Sequence, residues 1–224
     1  MLDNIVADIA EAGGDNLPAS APSSLKGIAI CGSQPQTKHL APFSDPGWLI
    51  YACSPDNTPV GMGPNKGPLP RVDHWFEAHV PVFDRTRPYA YLEWISAQPF
   101  PVWMRDRVAM NFRTAHGAPL FPNAKLYPEK LIKDRFGPFT FTSSIALMMG
   151  KAILDIEEMV RQGRMGADGE PPELGLWGIL QAAKNEYVKQ RQGTQNMIWA
   201  ATQAGIKVKV LPESGLFEPP PEDF

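Results

Sequence analysis

The sequence predicts an α/β fold: a single open, mainly parallel twisted sheet with helices on both faces. Short apolar runs recur along the chain, each closed by Gly, Pro or small polar residues, as buried parallel strands are. Longer stretches with helical spacing lie between them. Strands interleaved with helices imply parallel pairing through right-handed crossovers. The 224 residues, 43% of them hydrophobic, suffice for one sizeable core and demand no second.

The elements follow in order. Residues 1–25 read as a flexible segment, because Gly13 to Ser24 is rich in Gly, Pro, Ala and Ser. The folded domain is expected over 26–217. Its first strand, Gly27 to Cys31, is an apolar run that breaks at Gly32, and the second, Trp48 to Cys53, breaks at Ser54 and Pro55. Thr58 to Pro70 has many Gly and Pro and no apolar period, so it is expected as a loop, and long loops in compact domains are often lids or binding loops. A third strand is expected at Val72 to Phe76, a helix at Arg87 to Ala97 and a fourth strand at Pro101 to Met104. Ser143 to Arg161 is a helix with N-cap residues at its start and apolar residues nearly all round from Ile145 to Ile153, hence buried. The loop Gln162 to Glu173 is solvated and carries no assigned function. Leu174 to Gly178 is the fifth strand, Asn185 to Ala204 the last helix, and Lys207 to Leu211 the last strand. The proline-rich residues 218–224 are a tail that cannot enter a sheet.

Composition narrows the function classes. The net charge of -3 gives no global attraction to nucleic acid or anionic membrane. Arg105 to Arg135 is nonetheless basic, with seven Arg or Lys against three acids. The only cysteines, Cys31 and Cys53, lie in apolar runs and are expected as free, buried thiols. No apolar stretch reaches about 18 residues and the start of the chain is acidic, so a cytoplasmic location is expected.

In a sheet of this kind, ligands bind beyond the carboxyl ends of the strands, where the strand order reverses. Gly32, Ser33 and Gln34 form the turn after the first strand, where backbone N–H groups and side-chain amides can meet phosphate or ribose; an ordinary strand-to-helix turn would look the same. P-loop and dinucleotide fingerprints are both missing from it. Ser54, Asp56 and Asn57, after the second strand, are placed to bond ribose hydroxyls, or else to make a local Asx turn. Period-two geometry puts Asp73, Trp75, Glu77 and His79 on one face of the third strand, so Glu77 and His79 are the candidate catalytic pair, a carboxylate beside a general base. A water-facing edge pair is the plain alternative. Thr142, Ser143 and Ser144 cap the long helix and could also present its N-terminus to a diphosphate. Tyr187, Gln190 and Arg191 share one side of the last helix, for stacking on a base and neutralising a leaving phosphate, or as a solvated face. Glu213 and Ser214 follow the last strand, at the ligand end of the sheet. Asp56, Asp73 and Glu77 could supply a divalent metal site, although no ligand spacing marks one and no zinc pattern occurs.

Three segments together resemble the Rossmann-like core of the bacterial CMP-sialic-acid-dependent sialyltransferases and the related pterin pyrophosphokinase-like proteins. They are Ile28-Ala29-Ile30-Cys31-Gly32-Ser33-Gln34-Pro35, Phe141-Thr142-Ser143-Ser144, and Leu174-Gly175-Leu176-Trp177-Gly178. The stretches Glu186 to Arg191 and Gly205 to Ser214 are similar to phage-encoded proteins of that architecture. The chain departs from the sialyltransferase pattern in three places. The first turn lacks that family's Asn and second Gly, the helix opening has Ser144 for its Gly, and the strand Leu174 to Gly178 is followed by Leu180 where that family has Asp. His79 does not correspond to that family's catalytic His. The resemblance therefore implies a Rossmann-like fold and a nucleotide-type donor, with Gly178 joining the nucleotide-binding set. The expected function is a nucleotide-sugar-dependent glycosyltransferase; the phage-like resemblance and the basic stretch make a hydroxymethylated base in phage DNA a candidate acceptor, reached through Arg105, Arg107, Arg113, Lys125 and Lys130. The alternatives are a nucleotide-sequestering protein without catalysis and a nucleotide pyrophosphokinase or hydrolase.

Overall fold

The computed structural model describes residues 24–61, 63, 66–82, 89–138, 141–166, 168–181 and 186–217, with the side chains of 186–189 left out. The expected flexible segment, but for its last two residues, and the expected C-terminal tail lie outside the described residues, as does Arg87 at the expected start of a helix.

Seven strands form one sheet: β1 (Gly27–Cys31), β2 (Trp48–Cys53), β3 (His74–Glu77), β4 (Val102–Met104), β5 (Ala124–Leu126), β6 (Glu173–Trp177) and β7 (Lys207–Val210). Every pairing is parallel and the order is β5-β4-β3-β2-β1-β6-β7. The chain builds outward from β1 to β5, then crosses the whole sheet to place β6 on the other side of β1. The order therefore reverses between β1 and β6.

The helices are α1 (Pro35–Lys38), α2 (Tyr89–Ser96), α3 (Arg107–Met110), α4 (Glu129–Phe136), α5 (Ser144–Arg161) and α6 (Glu186–Gln203). Alternation along the strands sends Ile28, Ile30, Tyr51, Phe76 and Trp103 to one face and Ala29, Cys31, Ile50, Trp75 and Met104 to the other. The first face packs against α5 and α6 through Met148, Met149, Ile153, Met197 and Ala201, and the second against α2 through Tyr91, Leu92 and Ile95. Both faces are covered, so the inner strands β1, β2 and β6 are almost wholly apolar and buried, whereas the edge strands β5 and β7 carry exposed lysines.

Six of the seven strands fall where the sequence predicts, within two residues. The short β5, with Lys125 and Leu126 exposed, has no apolar run to announce it. The four-residue helices α1 and α3 are too short to show a period, and the eight-residue α4 is mostly charged, with Leu131, Ile132 and Phe136 as its apolar residues and Ile132 alone buried. Cys31 and Cys53 are free and buried, as expected, and no described helix is long and apolar enough to cross a membrane.

Candidate functional site

The carboxyl ends of β1, β2, β3 and β6 carry most of the residues singled out by the sequence. At the reversal point the turns after β1 and β6 press together. Gly32 N–H donates to Trp177 O at 2.8 Å and Gln34 N–H to Gly178 O at 2.8 Å. A β-carbon on Gly32 would lie 2.3 Å from Gly178 O, and one on Gly178 2.5 Å from Gly32 O, so only glycine permits this approach. Gly178 N–H is taken by Thr37 Oγ1 at 3.0 Å. These N–H groups hold the two turns to each other, which corrects the expectation that Gly32, Gln34 and Gly178 offer free backbone donors. The half-buried side chains of Ser33 and Gln34 remain beside them.

Asn57 is buried and its amide is fully committed. Nδ2 donates to Gly32 O at 3.0 Å and Cys53 O at 2.8 Å, with Cys31 O at 3.4 Å, and Oδ1 accepts from Lys38 Nζ at 3.3 Å. The residue ties β1 to β2 rather than facing a ribose, which corrects that reading. Asp56 is committed locally, since its Oδ1 accepts from Gly63 N–H at 3.0 Å and its carbonyl from Gly67 N–H at 2.8 Å. Ser54 has φ 79, a conformation that costs a non-glycine residue about 1–3 kcal/mol and that clusters at ligand sites.

Lys38, not singled out by sequence, lies in the middle of this group. Its stem touches Gly178, whose missing β-carbon would be 2.7 Å from Lys38 Cβ, and its ammonium reaches Asn57 Oδ1 and, at 3.0 Å, the carbonyl of Gly67. Because β1 lies between β6 and β2, the side chain crosses the carboxyl end of β1. Burial lowers the pKa of this ammonium. A lone lysine six residues beyond a glycine carries no pattern, and only the fold reveals its place.

Glu77 and His79 come together as expected. Glu77 is 2% exposed and its Oε1 meets His79 Nδ1 at 2.9 Å and the His79 N–H at 3.1 Å, while Oε2 accepts from Tyr91 Oη at 2.6 Å. Tyr91 Oη in turn accepts from Trp75 Nε1 at 3.1 Å. A carboxylate accepts, so the contact places the imidazole proton on Nδ1 and the lone pair on Nε2. The His79 side chain is 54% exposed. An imidazole held this way can accept a proton at Nε2.

The metal expectation does not survive. Asp73 accepts from Ile50 N–H at 2.7 Å and faces Arg71 at 3.3 Å at the amino end of β3, four residues and roughly 13 Å from Glu77 along the strand. Among the described residues no group of three or more His, Cys, Asp or Glu could hold a metal ion.

The start of α5 is tied to α6. Thr142 Oγ1 donates to Gln190 O at 3.2 Å, Ser143 Oγ lies 3.3 Å from Thr194 Oγ1 and accepts from Ala146 N–H as the N-cap, and Ser144 opens the helix half-buried. Among the described residues no hydrogen bond joins Thr142, Ser143 or Ser144 to the Gly32 turn. Arg191 Nε donates to Leu216 O at 3.0 Å, holding the segment after β7, so its guanidinium has a structural partner that the phosphate reading had not foreseen. Buried Ser214 closes the same segment by accepting from Leu216 N–H, and Glu213 is exposed. The Tyr187 side chain lies outside the described residues.

The basic stretch is largely paired. Arg105 forks onto Glu129 at 2.8 and 2.9 Å, Lys133 also binds Glu129, Arg135 binds Glu157, and Lys130 meets Asp134 at 2.5 Å. The Arg105 guanidinium holds the Glu129 carboxyl down to about 2. Arg107, Arg113 and Lys125 are exposed and have no carboxylate partner among the described residues.

No protein-family model, no curated protein and no solved structure matches the chain.

Proposed function

We propose that the protein is a nucleotide-sugar-dependent glycosyltransferase in which His79 takes the proton from an acceptor hydroxyl. The observation that carries this reading is the buried Glu77 carboxylate locked onto Nδ1 of an exposed His79, at the carboxyl end of a strand two places from the reversal point of a parallel sheet. The donor sits over the ends of β1 and β6, beside Ser33 and Gln34. In the transfer the acceptor oxygen bonds to the sugar carbon, the bond from that carbon to the diphosphate oxygen breaks, and the nucleoside diphosphate leaves with the electron pair. His79 Nε2 receives the hydroxyl proton, and Glu77 stabilises the imidazolium that results. The strained Ser54 beside the first turn supports a ligand site there.

A thermal-shift screen of nucleoside diphosphates and their sugar conjugates identifies the donor, since a ligand that binds only the native state raises Tm by mass action. With the donor known, His79→Ala should cut turnover by about a hundredfold or more while the ligand-induced shift persists. Glu77→Gln should keep the bond from Tyr91 and still slow the reaction. Full turnover in His79→Ala, or no Tm shift with any nucleotide, would defeat the proposal. Binding with no turnover for any acceptor would point instead to a sequestering protein.

A further inference from the structure

We propose that Lys38 is the residue that takes the phosphoryl oxygens of an anionic ligand, and that it does so in competition with its bond to the carbonyl of Gly67. The inference rests on the nucleotide reading above for the ligand's identity and adds Lys38 and its tie to Gly67 to that site. The lysine stem lies across the carboxyl end of β1, between Gly178 after β6 and Asn57 after β2. That is where the strand order reverses and where a parallel sheet of this kind receives phosphate.

The present acceptors make the exchange favourable. Among the described residues Lys38 Nζ donates to a side-chain amide oxygen and a backbone carbonyl, both neutral, at 3.3 and 3.0 Å, and the Asp56 carboxylate acts on it without a hydrogen bond between them. A phosphoryl oxygen carries negative charge, so its bond with the ammonium adds an ion-pair attraction that a neutral amide or carbonyl oxygen does not supply. Burial also disfavours the ammonium, the Asp56 carboxylate offsets only part of that, and a bound anion would offset more. Ser33 and Gln34 stand beside the same turn and can bond the remaining oxygens.

The competition has a structural consequence. Gly67 is held from two sides, by its N–H to Asp56 O at 2.8 Å and by its carbonyl to Lys38, and the next bond along is Leu69 N–H to Asn57 O at 3.2 Å. A phosphoryl anion that draws the ammonium away removes one of these holds. Ligand binding and the order of residues 66–69 are thereby coupled through one side chain.

The test compares the unaltered protein with Lys38→Gln, which keeps a donor for Gly67 O without the charge, and with Lys38→Arg, which keeps the charge. Probes are inorganic pyrophosphate and a panel of nucleoside diphosphates, with binding read by calorimetry and folding by circular dichroism. Lys38→Gln should weaken pyrophosphate roughly tenfold to a hundredfold, and Lys38→Arg by much less. In the unaltered protein, hydrogen exchange at the amides of Gly67 and Leu69 should speed up when pyrophosphate is added. That readout needs no variant to fold. Equal affinity of a nucleoside diphosphate for the unaltered protein and for Lys38→Gln would overturn this inference and leave the transferase reading standing. Lys38-dependent pyrophosphate binding with no nucleotide binding would uphold it and defeat that reading. Binding of neither probe, or unchanged exchange at saturating pyrophosphate, would overturn it.

Discussion

His74 is buried between β2, β4 and α5. Its ring stacks on Tyr51 at 4.5 Å and its Nδ1 accepts from Trp103 Nε1 at 3.0 Å, so the neutral ring carries its proton on Nε2, which has no hydrogen-bond partner among the described residues. Lys151, 3% exposed, lies over the Trp103 ring at 4.1 Å and pairs with Asp155, whose other oxygen accepts from Tyr51 Oη at 2.6 Å. Burial pushes the His74 pKa down from 6.5 to about 4, with Lys151 adding to the effect and Asp155 opposing it. The folded state therefore binds fewer protons here than the unfolded chain does between these values. Stability is intact above pH 6.5 and falls as the pH drops toward 4, by at most on the order of 3 kcal/mol. Urea unfolding at pH 7 and pH 4.5 measures the loss. In His74→Gln, which still offers an acceptor to Trp103, the loss between the two pH values should shrink. An unchanged loss would show that other groups drive the acid response.

At the scale of the element, the junction of β1 and β6 depends on two backbones meeting without side chains between them. Gly32→Ala would set a methyl group 2.3 Å from Gly178 O, and the two strands cannot yield separately because each is flanked by further strands. We expect a loss of about 3 kcal/mol, near the upper end for overpacking, seen as a lower urea midpoint at unchanged m. Asn57→Ala tests the neighbouring junction of β1 and β2. It strips donors from the carbonyls of Gly32 and Cys53 and an acceptor from Lys38, and should cost about 2 kcal/mol. Near-native stability in both variants would show that the strand ends are held by sheet pairing alone.

For the whole molecule, the distribution of charge decides how a nucleic acid could be met. Arg105, Lys130, Lys133 and Arg135 are engaged with carboxylates, which leaves Arg107, Arg113 and Lys125 as the cations of the basic stretch open to phosphate. If DNA is the acceptor and binds through these three, a plot of log K against log salt should have a slope no steeper than about -3. Filter binding or anisotropy across a salt series measures it, and a much steeper slope would mean that another surface carries the contact.

How much of this could be read in advance depends on the range of the signal. Alternation and apolar runs act over a few residues, so strands such as Gly27–Cys31, the buried helix Ser144–Arg161 and the pairing of Glu77 with His79 two residues away were legible in order along the chain. Partners that meet across the fold were not. Asn57 against Cys31 and Gly32, Lys38 against Gly67 and Gly178, and Arg191 against Leu216 join segments that no local period relates. The amino-acid sequence by itself determined the α/β class and where most strands end, because burial of both faces of a parallel sheet demands those patterns. Only the tertiary structure decided that Asp73 and Glu77 lie at opposite ends of β3 and that a lysine crosses β1, since strand order brings distant segments into contact.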